Sequence, residues 1–164
     1  MKKKKKQNIT IAVIAIAIVA GIIFYNYSAD QTRQKGFVFG TELEKIQNDV
    51  KDLQTQFYSK KAQLEEGSIS KEELFQFYEK HVEEFEKIIL RYDGLVPPES
   101  FESAVDLLRL SSETQLDSDK QYIEWMKTGD DSYKIRSDSQ YQQALEYEMS
   151  GLVEYYSAKT GVNP

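Results

Sequence analysis

The chain has 164 residues, 40% of them apolar and 12% aromatic, which suits one packed domain plus an anchor. It contains no cysteine, which excludes disulfides, thiolate metal sites and thiol catalysis, and only three prolines and eight glycines, which favours long regular elements over many turns. The net charge of −6 hides an asymmetry: Lys2 to Lys6 are followed by an uncharged stretch through Tyr27, and residues 28–164 hold 16 basic and 27 acidic side chains, a net −11 that repels nucleic acid, anionic lipid and anionic cell-wall polymers.

Ile9 to Tyr25 is a run of 17 uncharged residues dominated by Ile, Val and Ala. As a helix it spans roughly 26 Å, and extension through Tyr27 brings it close to a hydrocarbon core of ~30 Å. Tyr25 and Tyr27 then stand at one interface and the lysines at the other, and the excess of lysine before the run sets the N-terminus in the cytoplasm. The expected organisation is a cytoplasmic tail over 1–8, a transmembrane anchor over 9–27, a linker over 28–40, an extracytoplasmic bundle over 41–160 and a tail over 161–164. The competing reading is a cleaved signal peptide and a secreted helical protein. Its apolar region would be shorter, and the small-residue site ending at Ala29 has Tyr27 at its −3 position. Val19-Ala20-Gly21 is followed by Ile22 where a lipoprotein needs cysteine. Ala17 and Gly21 form a small-xxx-small pair that either packs a helix dimer or faces lipid.

The remainder predicts four helices. Thr41 and Glu44 fit a capping box, and Leu43, Ile46, Val50, Leu53, Phe57 and Leu64 follow at helical spacing until Gly67. A second box, Ser70 with Glu73, opens a helix carrying Leu74, Phe75, Tyr78, Val82, Phe85, Ile88, Ile89 and Tyr92, stopped by Gly94 and Pro97-Pro98. Pro98 suits the first turn of the third helix, whose apolar positions are Phe101, Val105, Leu108, Leu116, Tyr122, Trp125 and Met126. Lys127-Thr128-Gly129-Asp130 reads as a stop and a restart. The fourth helix is expected from about Asp131 to Lys159, with Tyr141, Leu145, Leu152 and Tyr155 inward. The predicted fold is therefore all-α: an N-terminal transmembrane helix followed by an up-down-up-down antiparallel four-helix bundle. An open hairpin pair, a domain-swapped dimer, or a third helix broken through Ser111 to Lys120 are the rivals.

No motif marks chemistry. A di-iron carboxylate bundle needs Glu-x-x-His on two helices, whereas the single histidine, His81, follows Tyr78 at that spacing and lies near the edge of its apolar face. It reads as a packed or half-exposed histidine rather than a metal ligand. Asp117/Asp119 and Asp130/Asp131 do not fit an EF-hand, since the sixth position counted from Asp117 is Tyr122. There is no phosphate loop and no marked nucleophile, so the expectation is no enzyme, no catalytic residue, no cofactor and no metal. One stretch breaks the local rules. Ser111, Ser112, Gln115, Ser118 and Asp119 fall on or beside the inward stripe of the third helix, and Glu148 falls between Leu145 and Leu152 on the fourth. A buried polar network that fixes helix register is one reading; a polar groove lined by Gln115, Asp119 and Glu148 is the other.

Pro97-Pro98-x-x-Phe101, followed by a helix closing on Tyr122 and Lys127-Thr128-Gly129-Asp130, resembles membrane-anchored or lipoprotein-like extracytoplasmic helical-bundle proteins of low-GC Gram-positive bacteria. The resemblance covers roughly residues 70 to 160, departs from the lipoprotein members in lacking a lipobox cysteine, and brings no catalytic residues with it. Two functions fit. The first is a binding or scaffolding module held at the membrane by Ile9–Tyr25 and meeting a protein partner, with Phe77, Tyr133, Tyr147 and Tyr156 as candidate exposed aromatics. The second is a ligand sensor that acts through a separate membrane partner, since a tail of about eight residues holds no output domain.

Overall fold

The computed structural model describes residue 36 and residues 38–161. The expected cytoplasmic tail, the anchor Ile9–Tyr25, most of the linker and residues 162–164 lie outside them. Within the unit Met1–Gly40 the described residues are helical, and the unit Thr41–Pro164 holds the bundle.

Four helices build that unit, and among the described residues there is no strand. Among the described residues, helix α1 covers 38–65, α2 is Lys71–Tyr92, α3 is Glu102–Thr128 and α4 is Asp131–Thr160, with a 3-10 turn, Glu99–Phe101, leading into α3. The expected start of α1 at Thr41 is corrected: residues 38–40 are already helical, so Thr41 is not an N-cap. The Ser70–Glu73 capping box forms in full, with the Glu73 amide donating to Ser70 Oγ at 3.2 Å and the Ser70 amide donating to Glu73 Oε2 at 2.7 Å. Pro98 precedes the 3-10 turn rather than opening α3 itself, and α3 then runs unbroken through Ser111–Lys120. Gly129 ends α3 in the left-handed region at φ 71°, and Asp130 caps α4 by accepting the Ser132 amide at 2.9 Å.

Successive helices run in opposite directions. Arg91 near the end of α2 bridges Glu42 and Asp49 near the start of α1, while Phe57 late in α1 stacks on His81 in mid-α2. Between α2 and α3, Tyr92 meets Ser112 and Asp93 meets Arg109 at one end, and Glu86 meets Lys120 further along. Leu43, Ile46, Val50, Leu53 and Phe57 of α1 enter the core with Leu74 and Phe85 of α2 and Val105, Leu108, Leu116 and Ile123 of α3. This is the 3-4 spacing of a helix with one buried face.

The fourth helix departs from expectation. Tyr141, Leu145, Leu152 and Tyr155 are only half-buried, and the residues fully enclosed are Ser137, Ala144 and Gly151. They meet a matching heptad of small residues on α3, namely Ala104, Ser111 and Ser118. Ser111 Oγ donates to the Ala144 carbonyl at 2.8 Å. Ser118 Oγ donates to the Ser137 carbonyl at 2.8 Å, and Ser137 Oγ donates to the Ser118 carbonyl at 2.9 Å. At the far end a Cβ placed on Gly151 would stand 2.9 Å from Leu108 Cγ and 3.2 Å from the Ala104 carbonyl oxygen. Small side chains let two helices approach until hydroxyls reach the neighbouring backbone, and the larger apolar residues of α4 are left to cover the flanks of the seam.

Gly151→Leu is expected to force α3 and α4 apart and lower unfolding stability by about 1–3 kcal/mol, the usual result of overpacking a filled core. Urea unfolding of the variant against the parent reads this directly, and an unchanged midpoint contradicts the close approach.

Candidate functional site

Two polar regions stand out in the bundle. The first is enclosed. His81, 1% exposed, contacts Asp119, 2% exposed, through Nε2 and Oδ2 at 2.9 Å. Gln115 Nε2 lies 3.0 Å from Asp119 Oδ1 and 3.3 Å from the Tyr58 hydroxyl, which joins α1, α2 and α3 in one network. The imidazole lies flat on Phe57 at 4.7 Å between ring centroids and meets Phe85 edge-on at 5.5 Å, with Phe77 at 6.0 Å. His81 is therefore central to the α2 face, in the row Leu74, Tyr78, His81, Phe85, rather than near its edge. Its hydrogen bond to Asp119 makes that position tolerable for a polar ring. Its Nδ1 is buried without a partner.

Burial pushes the Asp119 carboxyl above the ordinary carboxylate value, while the His81 bond, the Gln115 bond and the Lys61 charge pull it down. Burial likewise raises the hydroxyl of Tyr58 and lowers the ammonium of Lys61, which lies 3.8 Å from the Tyr122 ring centroid. Both members of the His81–Asp119 pair are closed to solvent, so the pair acts as a link between α2 and α3 rather than as an exposed acid–base couple.

The second region is open. A cleft of about 280 Å³ lies between α1, α3 and α4, lined by Gln47, Val50, Lys51, Gln54, Ser111, Ser112 and Glu148. Its inner wall is already bonded. Gln47 donates to the Tyr92 hydroxyl, that hydroxyl meets Ser112 Oγ at 3.1 Å, and Ser112 Oγ donates to the Leu108 carbonyl at 3.0 Å. Burial pushes the Tyr92 phenol up to about 12, the bonds from Ser112 and Gln47 work against the rise, and the charge of Glu148 adds to it. Around this wall, the side chains of Lys51, Gln54 and Glu148 make no hydrogen bond or ion pair with any described residue.

The residues singled out in the sequence divide between the two regions. Gln115 and Asp119 come together in the enclosed network, whereas Glu148 lines the open cleft beside Ser111 and Ser112. The seam explains the division. Asp119 sits beside Ser118, which pairs with Ser137, and Glu148 lies 11 positions further along α4, roughly 16 Å along its axis. Sequence reasoning missed Tyr58 and His81 as partners of Gln115 and Asp119, and missed Gln47, Lys51 and Gln54 opposite Glu148. Each of these depends on the register of α1 and α2, which no local pattern encodes.

Among the candidate aromatics, Phe77 packs onto the core beside His81, Tyr133 lies under Arg136 at 4.4 Å, and Tyr147 accepts from Gln143 at 2.9 Å. Tyr156 is the most exposed of the four, at 58%, on the outward face of α4 with Met149 and Val153. Among the described residues no group of three or more His, Cys, Asp and Glu side chains is placed to hold a metal ion. Comparisons with protein-family models, with curated proteins and with solved structures find no match.

Two outcomes are expected from the enclosed pair. Asp119→Ala leaves His81 and Gln115 without their acceptor in a closed space and is expected to cost about 3–5 kcal/mol in urea unfolding. Asp119→Asn tests the pH dependence. A carboxyl whose pKa is raised on folding contributes stability that is complete below its unfolded value of 3.8 and is lost as pH rises through the folded value. The stability of the parent relative to Asp119→Asn should therefore fall as pH is raised from about 4 towards neutrality. A constant or rising difference contradicts the assignment.

Proposed function

We propose that the protein is a single-pass membrane protein with its N-terminus in the cytoplasm and an extracytoplasmic up-down-up-down helical bundle that works by binding. Support for the anchor comes from sequence: the uncharged run Ile9–Tyr25, with Lys2 to Lys6 on one side and a domain of net −11 on the other. Among the described residues no helix is long and apolar enough to cross a membrane, and Ile9–Tyr25 lies outside them. The reading agrees with the resemblance to membrane-anchored and lipoprotein-like bundles of low-GC Gram-positive bacteria.

The observation that carries the binding reading is the cleft. Glu148, Lys51 and Gln54 line an open volume with no partner of their own, while Gln47, Ser111 and Ser112 beside them are bonded. Polar side chains that line a concavity without bonding one another offer contacts that a ligand can take up. A scaffolding role towards a protein partner has separate support in Met149, Val153 and Tyr156, which line the side of α4 away from the seam at 69%, 58% and 58% exposure. The same cleft favours the sensor reading, because it is built from α1, α3 and α4 together and a ligand there touches three helices at once.

The chain lacks cysteine, so a single cysteine reports topology cleanly. In intact cells K159C is expected to react with a membrane-impermeant maleimide, with the full-length chain retained in membranes after alkaline carbonate extraction. Labelling only after lysis contradicts the orientation. Recovery of a shortened chain from the medium contradicts the anchor in favour of cleavage and secretion.

A further inference from the structure

We infer that the cleft between α1, α3 and α4 binds a small zwitterion of the α-amino-acid class, with its ammonium on Glu148 and its carboxylate on Lys51. The inference rests on reading the bundle as a binding module, and it is independent of the anchor. At about 280 Å³ the cleft stands just below the usual range of ligand pockets, and its lining is polar except for Val50. It therefore suits a compact, hydrogen-bonding molecule rather than an apolar one.

Charge narrows the class. The cleft holds one carboxylate, on α4, and one ammonium, on α1, and no ion pair closes between them. An anion alone would face Glu148 and the net −11 of the domain. A cation alone would face Lys51. A metal ion would find one carboxylate and no second acidic or imidazole ligand in the lining. A molecule carrying both charges satisfies both walls and leaves neither protein charge uncompensated as water is displaced.

The rest of the cleft supplies shape. Ser111 and Ser112 stand where larger core residues would fill the space, and both hydroxyls are already turned to backbone carbonyls. Gln47 is held by Tyr92, whereas Gln54 keeps its amide free for the ligand. The bonded wall is thus fixed before the ligand arrives, which reduces the ordering needed on binding.

The test is equilibrium binding to the full-length chain in detergent, using each proteinogenic α-amino acid in turn and, for any that binds, its methyl ester and its N-acetyl form. Saturable binding of at least one free amino acid at or below about 1 mM is expected. Both derivatives should bind at least about tenfold more weakly, and E148Q and K51M should each weaken binding by about tenfold or more while unfolding like the parent. The two derivatives test the same contacts on the unaltered chain, so the outcome does not depend on the variants folding. No saturable binding by any amino acid at about 10 mM overturns the inference, as does binding that survives E148Q and K51M. An ester that binds as well as its parent overturns the role of Lys51 and with it the zwitterion class. Failure here with K159C labelled from outside removes the ligand class and leaves the anchored bundle standing; labelling from inside removes the orientation whatever the binding result.

Discussion

The close contact of α3 with α4 constrains everything else in the bundle. Its small residues repeat every seven positions on both helices: Ala104, Ser111 and Ser118 against Gly151, Ala144 and Ser137. Three serine hydroxyls cross to backbone carbonyls, so the register is fixed by direction as well as by volume. A shift of one turn would put bulky or charged side chains of α4 where glycine, alanine and serine now fit. The hairpin is closed by Gly129 and Asp130, and it is fastened near the turn by the Trp125 indole N–H donating to Asp131 at 3.3 Å.

While this seam takes no bulky side chain from α4, the apolar residues of α1 and α2 pack against each other and against α3. Phe57, Leu74, Tyr122 and Ile123 form one cluster, and the His81–Asp119–Gln115–Tyr58 network runs beside it. Such a network discriminates among packings that apolar contacts alone would accept, since only one register satisfies its members. The same seam leaves the cleft. Where α3 contributes Ser111 and Ser112 and α4 contributes Glu148, the space between α1 and α4 is not filled. The close packing of α3 on α4 and the opening beside it have the same origin, a run of small residues in the middle of one helix.

How much of this could be read from the chain depended on residue size. The α1 stripe was legible because Leu43, Ile46, Val50, Leu53 and Phe57 are large and regularly spaced, and the α2 start was legible because Ser70 and Glu73 carry a capping pattern with a local cause. The α4 face was misjudged because its enclosed residues, Ser137, Ala144 and Gly151, contribute little apolar signal, so Leu145 and Leu152 dominated the periodicity. Placing His81 near an edge had a similar cause. A ring ranked as polar weighs little in an apolar pattern, although a single acceptor is enough to let it occupy the core. Gln115 and Asp119 were visible as violations of the stripe, and Glu148 was visible as a carboxylate at a core-like position. Their division between an enclosed network and an open cleft was not visible, because it follows from a register that only tertiary contacts set.

The architecture and the proposed binding reading meet in one requirement: Glu148 must reach the cleft beside Ser111 and Ser112. The most direct measurement of that requirement is disulfide mapping in the full-length chain, which has no cysteine of its own. Ser118 and Ser137 hydroxyl oxygens are 3.3 Å apart, so S118C/S137C should close an intramolecular disulfide under mild oxidation, and S118C/Y141C, one turn away, should not. A disulfide forming as readily in the shifted pair, or none in S118C/S137C, would contradict the seam and the placement of both polar regions with it.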